Sequence, residues 1–407
     1  MIDDHALNVL EYHLLLDLVA TRAQTALGQQ AIRQLRPATV AAGLGHRPAL
    51  YGEMMTLIAA GVAFPGLQFD ALDPIARRAA PQGAVLDGGE LLVFRGLLDT
   101  ARDAAAFCRR EACLSLPRLQ ELARQIHPCD DLRASLHRCL APDGSVLDEA
   151  SRELGDLRRH MRRLEQHLQR TLERMIQEAA VAAAVQESFV TTRNGRFVIP
   201  VRRTERGSVP GVVHDHSNSG QTLFVEPTAT LGLGNDLADA RLQERDEVRR
   251  VLAALSDDVR ARLPLLIQTQ SSLIQLDAAA AVARWADSQG CRHFPDAAGA
   301  VRLVQARHPL LLHRLRAEGR EDEMVPLDFA PGAGLRAVVI TGSNTGGKTV
   351  ALKTVGLLVL LAQTGLPIPA DDGTTLPWFD QVFADIGDEQ SLEASLSTFS
   401  AHMAHIT

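Results

Sequence analysis

The run Gly342, Ser343, Asn344, Thr345, Gly346, Gly347, Lys348 and Thr349 fits the pattern G-x-x-x-x-G-K-[ST]. Small residues of this kind let successive backbone N–H groups close around phosphate oxygens. Lys348 brings a compact ammonium to the terminal phosphates, and Thr349 brings a hydroxyl to Mg2+. Lys348 and Thr349 are thus the candidate catalytic pair, and Thr349 is also the candidate metal ligand. Of 42 basic residues only Lys348 and Lys353 are lysines, so a chain that otherwise writes its cations as arginine has a lysine where a point charge is wanted. The bland alternative is a glycine-rich turn that happens to hold a lysine; a chance match in a chain of this composition is on the order of one in a thousand.

A phosphate cradle of this type sits between a buried strand and a helix. The apolar run Ala337 to Ile340 reads as that strand and Val350 to Leu361 as that helix. With Val301 to Val304 as an earlier strand, residues 300–407 are expected to open an α/β nucleotide-binding domain. The rest of the chain reads differently. At 407 residues, with 46% hydrophobic but only 4% aromatic content, it is long enough for two or three domains and favours helix over sheet. The expected fold class is mainly α with an α/β P-loop domain. A formal charge of −7 excludes a chain that is basic overall, so any nucleic-acid contact must come from a local patch. Cys108, Cys113, Cys129, Cys139 and Cys291 contain no C-x-x-C pair and read as free thiols of a reducing cytoplasm. No signal peptide and no run able to span a bilayer is visible, which points to a cytoplasmic protein without membrane contact.

In chain order, Leu7, Leu10, Leu14, Leu18, Leu27, Ile32 and Leu35 recur at helical spacing, and shorter helices such as Leu91 to Cys108 follow, so residues 1–147 read as a helical core. Residues 148–187 carry Leu154, Leu157, Met161, Leu164, Leu168, Leu172 and Met175 on one stripe, one helix of roughly 57 Å. Residues 229–263 carry Leu237, Val248, Val251, Leu255, Val259 and Leu263 likewise, roughly 52 Å. Two matched arms imply an antiparallel hairpin. Residues 148–263 are therefore expected to form arms with an inserted β module at about 189–227, and 264–299 to form connector helices.

The module combines Phe189 to Thr192, a turn at Asn194 and Gly195, Arg196 to Arg203 and Thr222 to Glu226. Arg193, Arg196, Arg202, Arg203 and Arg206 crowd it, a candidate contact for a phosphate backbone as well as an ordinary solvated face. His214, Asp215 and His216 could suggest a metal site, but without a third nearby ligand a polar turn is the expected reading.

Together these residues resemble the MutS family, in the type-two branch that lacks a mismatch-reading domain. The resemblance rests on the run 342–349, on Ala306, Arg307, His308 and Pro309, and on residues 385–390 leading into Ser395, Leu396, Ser397, Thr398, Phe399 and Ser400. Residues 211–217 and 220–227, with Leu10, Glu11 and Tyr12, point to the branch. The resemblance implies a homodimeric ATPase that takes ATP and Mg2+, with Ser397 and Thr398 facing the partner's γ-phosphate and Val325 and Pro326 packing on the adenine. It also implies lever arms that enclose branched DNA, and a branch associated with suppression of recombination and with collided ribosomes, so that DNA or ribosomal RNA is the expected partner.

Two departures qualify it. Phe224, Val225 and Glu226 lie inside the arm module, so they are not the Phe-x-Glu of mismatch readers. After Thr349 no apolar strand ends in Asp-Glu, no nuclease domain is present, and the sequence stops in a helical pattern at Thr407. A truncated product is expected from this, binding nucleotide poorly and hydrolysing it negligibly. The alternative class is a non-catalytic nucleic-acid-binding or dimerisation protein.

Overall fold

The computed structural model describes residues 2–291, 294–295, 297, 299–332, 334–335, 337–342 and 347–386. It is mainly helical, and the chain divides into two compact units. The first comprises Met1–Leu72, Gly96–Pro128 and the described residues from Pro264 onward; the second comprises Asp73–Arg95 and Cys129–Leu263.

The helix Leu231–Gln289 contributes to both units and carries Pro264 in its interior. The sequence pattern suggests two helices broken at this proline, but one helix of 59 residues runs through it. Pro264 removes a single i→i−4 bond, and the flanking turns keep theirs. The two halves bury themselves differently. Before Pro264, the buried Leu237, Ala240, Val251, Leu255 and Val259 form a stripe. After it, Ala278 to Ala283 are buried on every side, together with Leu273, Leu276 and Trp285, the signature of a helix enclosed by its neighbours.

In the first unit the opening segment folds as three helices, Asp4–Val9, Tyr12–Ala20 and Ala26–Arg33. Thr25 caps the third by accepting from Gly28 N at 2.9 Å. The buried Asp277 carboxylate in turn accepts from Gln24 N and Thr25 N, both at 2.9 Å, and from the Thr25 hydroxyl at 2.7 Å. A small antiparallel pair joins Leu303–Ala306 (β5) to Leu327–Phe329 (β6).

In the second unit the first arm is Arg152–Gln177, 26 residues, or about 39 Å at the helical rise. It is shorter than its pattern suggests because Glu178 turns extended (ψ 131) and residues 184–186 are drawn onto a sheet edge. There Val185 bridges Val201, and Gln186 N donates to Pro200 O at 2.8 Å. The arm lies antiparallel to the long helix. Residue numbers fall on one side as they rise on the other: Glu153 pairs with Arg250 at 2.9 Å, Arg158 with Glu244 at 2.8 Å and Glu165 with Arg241 at 2.8 Å. Leu164 and Leu168 pack with Leu237 and Ala240 between the charges.

The inserted module is a four-stranded antiparallel sheet in the order β1-β2-β4-β3, formed by Thr191–Arg193 (β1), Arg196–Arg202 (β2), Gly211–His216 (β3) and Thr222–Pro227 (β4). Asn194 (φ 51) and Gly195 (φ 76) make the two-residue β1–β2 turn, in which both positions need positive φ. The core of Ile199, Val201, Val209 and Val225 closes against Leu172 and Ile176 from the end of the first arm. Residues 214–216 are not the polar turn expected of them: they are strand, with a bulge between Val213 and Asp215. All five cysteines are free, and no helix of the described residues is long and apolar enough to cross a membrane.

Candidate phosphate-binding site and arginine-rich module

The helix half of the cradle forms as its residues require. Lys348–Thr364 is a helix of 17 residues capped by Gly347, whose left-handed backbone (φ 78) suits glycine. Its first turn leaves N–H groups without intrahelical partners, the feature that receives an anion. Lys348 Nζ donates to Gly342 O at 2.6 Å, which carries the ammonium from one end of the motif to the other. Ser343, Asn344, Thr345 and Gly346 lie outside the described residues, as do Ser397 and Thr398.

The strand half differs from expectation. Val338, Val339 and Ile340 are 50%, 83% and 37% exposed and belong to no strand. A parallel strand of this type is buried by neighbouring strands on both edges, and among the described residues no strand pairs with this run. Val325 is 83% exposed and Pro326 half-buried, directly before β6, so both are accessible from solvent.

The helix of the cradle is held by residues that sequence reasoning flagged only as family markers. Leu10, Glu11 and Tyr12 meet it at three levels. Leu10 packs onto Gly356, where a Cβ would come within 2.7 Å of Leu10 Cδ2. Glu11 pairs with Lys353 at 3.0 Å, and the Tyr12 hydroxyl lies 2.8 Å from Thr364 Oγ1. Burial raises the Tyr12 phenol well above its usual range, so it stays a neutral hydroxyl. The scarcity of lysine was the one signal pointing to Lys353.

A cavity of about 950 Å3 opens beside this helix, lined by Thr349, Val350 and Lys353, by Glu11, Leu14 and Leu18, and by His308, Leu311 and Arg314. His308 is 4% exposed and its Nδ1 accepts from Leu311 N at 3.4 Å, capping the helix Pro309–Ala317. Desolvation pushes its pKa down to about 4, aided by Lys353 and opposed by Glu11, so the ring is neutral at pH 7.

In the second unit the five candidate arginines separate. Arg196 turns inward, donating to Asn235 Oδ1 at 2.9 Å and reaching the buried Glu226 at 3.4 Å. Glu226 also meets His214 Nε2 at 2.7 Å, since the bulge in β3 aims that ring inward. Arg193 lies over the Phe224 ring, 4.2 Å from its centroid, and pairs with Asp215 at 3.3 Å. Arg202, Arg203 and Arg206 are exposed where β2 gives way to the short helix Arg203–Ser208. Arg196 is thus a structural tether between the sheet and the long helix, while Arg202, Arg203 and Arg206 face solvent. No cluster of three metal-ligating side chains occurs among the described residues.

The chain is similar in sequence to known proteins. A family model described as MutS domain V matches residues 338–407. The endonuclease MutS2 of Symbiobacterium thermophilum is 39% identical over 99% of this chain and 49% of its own length. Endonuclease MutS2 of Bacillus velezensis and the putative endonuclease MutS2 of Bacillus subtilis are each 37% identical over 98% of this chain and 50% of their own lengths. The chain spans about half the length of the curated relatives it matches. The similarity runs through the helical units, the arm module and the phosphate cradle alike, and it is to the MutS family, in its MutS2 branch.

Proposed function

We propose that this chain is the nucleotide-binding and nucleic-acid-gripping part of a MutS2-type clamp. The observation that carries the reading is the P-loop helix, with Gly347 as its cap and Lys348 bound across the motif to Gly342 O. An incoming triphosphate would replace that carbonyl as the partner of the ammonium, its oxygens taking the N–H groups of the first helical turn. Thr349 would hold Mg2+ through its hydroxyl, and the ion would neutralise the charge on the phosphates. Val325 is exposed and free to cover an adenine face, which fits ATP. Ser397 and Thr398 would complete the site of a second copy in a homodimer.

The gripped partner is branched DNA or the RNA of a stalled ribosome. Arg202, Arg203 and Arg206 supply exposed cations on the module, and antiparallel arms supply the reach. Recombination intermediates and collided ribosomes are both bulky, branched polyanions of the kind a nucleotide-gated clamp encloses.

The second reading, a binding protein that holds nucleic acid without using ATP, draws on the exposed Val338 to Ile340 run and on the lack of an acidic strand end after Thr349 among the described residues. Binding of a four-way DNA junction with and without Mg·ATP separates the two. The clamp reading expects a nucleotide-dependent change in affinity of several-fold; identical affinities support the second. In the same assay, Arg202→Ala with Arg203→Ala should lower affinity and reduce the salt slope by about 1 to 2. An unchanged slope would reassign these side chains to a solvated surface.

A further inference from the structure

Glu11 joins the helix Asp4–Val9 to the helix Tyr12–Ala20 in a left-handed backbone conformation (φ 58, ψ 29). A residue with a Cβ adopts it at a cost, and such strain persists where surrounding contacts over-determine it. Here the contacts are the three made to the P-loop helix by Leu10, Glu11 and Tyr12. The middle one uses the chain's other lysine. Lys353 lies four residues after Thr349, so the two share a helix face, and both line the cavity that Glu11 also lines. The pair is partly withdrawn from solvent, with side chains 25% and 40% exposed, so it is less screened than a free surface pair.

We infer that Glu11 and Lys353 are positioning residues for the phosphate cradle, holding the face of the P-loop helix that carries Thr349 against the helix Tyr12–Ala20. Occupation of the cradle is thereby felt in the N-terminal helices. This rests on the cradle binding Mg·ATP. An arginine at 353 would hold the Glu11 carboxylate in one rigid, planar geometry, whereas a single flexible ammonium can follow a small rotation of the helix without losing Glu11. Linkage makes the effect reciprocal: the factor by which an ordered N-terminal helix strengthens nucleotide binding is the factor by which nucleotide favours the ordered helix.

Hydrogen exchange on the whole chain, with and without saturating Mg·ATP, tests this. The expected result is a several-fold slowing at the amides of Tyr12–Ala20 in excess of any slowing in the control helix Pro117–Ala123. Lys353→Met and Glu11→Gln should remove the excess and weaken Mg·ATP binding several-fold, and Lys353→Arg should restore only part of both. If Mg·ATP binds through Lys348 but the two helices respond equally, the positioning role is overturned and the cradle stands. Should Mg·ATP not bind at all, the cradle reading falls and this inference with it. The unsubstituted protein decides between these outcomes even if Lys353→Met fails to fold.

Discussion

Two short apolar runs of this chain, Val198 to Val201 and Val338 to Ile340, have similar composition and opposite fates. Val198, Ile199 and Val201 are fully buried, because β2 finds β1 and residues 184–186 on one edge and β4 on the other. Val339 stays 83% exposed beside a helix that is fully formed. A helix closes its hydrogen bonds within itself, so Lys348–Thr364 needs no partner strand, although it needs neighbours such as Leu10, Glu11 and Tyr12 to bury and hold it. A strand is only as real as its partners. Among the described residues the cradle thus shows its helix formed and its apolar run unpaired, while the arm module shows both helix and strands satisfied.

The contrast can be broken by experiment, and the largest effect is expected in the sheet. Val201→Asp should destabilise the second unit by about 4 kcal/mol or more in urea unfolding, since it buries an unpaired carboxylate, whereas Val339→Asp should stay within about 0.5 kcal/mol. Comparable losses for both would mean that the run before the cradle is packed after all.

Next comes a pH effect in the cradle's own unit. His308 is held neutral, with its folded pKa near 4 against an ordinary value of 6.5. Between those values the unfolded chain binds a proton that the folded chain does not. Stability therefore falls as pH drops from 6.5 toward 4, by about 3 kcal/mol from this group. His308→Asn keeps a helix-capping oxygen and should remove most of that slope, as read by melting temperature against pH. In the arm module, Glu226→Ala should cost about 2 kcal/mol by stranding His214 and Arg196, and a double-mutant cycle with His214→Ala should give non-additive losses. Smallest of all, removing the exposed pair Asp17 and Arg33 should change stability by less than about 1 kcal/mol.

What was legible in the sequence follows the same division. Helical stripes were readable because their period is local: Leu154, Leu164, Leu168 and Leu172, picked from spacing, are all buried. The Asn194 and Gly195 turn was readable because its chemistry is written in two residues. The end of the first arm was not, since nothing in the sequence marks the extended Glu178, after which Ala179–Ala182 resumes as a separate helical turn before Val185 bridges Val201. Nor was the continuity through Pro264, where the helix on either side outweighs one missing bond. The strand Gly211–His216 escaped notice because its polar His214 looks outward in sequence, whereas a bulge turns it toward Glu226. In the candidate site, the motif nominates Lys348 and Thr349, and both lie in the first turn of the helix Lys348–Thr364. The Glu11 and Lys353 pair is separated by hundreds of residues, and no local pattern joins its halves.

The central claim is that the cradle at Lys348 takes a magnesium-bound triphosphate. Calorimetric titration of Mg·ATP into the chain, beside the Lys348→Ala variant and a run with EDTA in place of magnesium, addresses it most directly. The account predicts weak but saturable 1:1 binding that falls at least tenfold in the variant and weakens without magnesium. Binding that is indifferent to Lys348, or no binding at any attainable concentration, would contradict it.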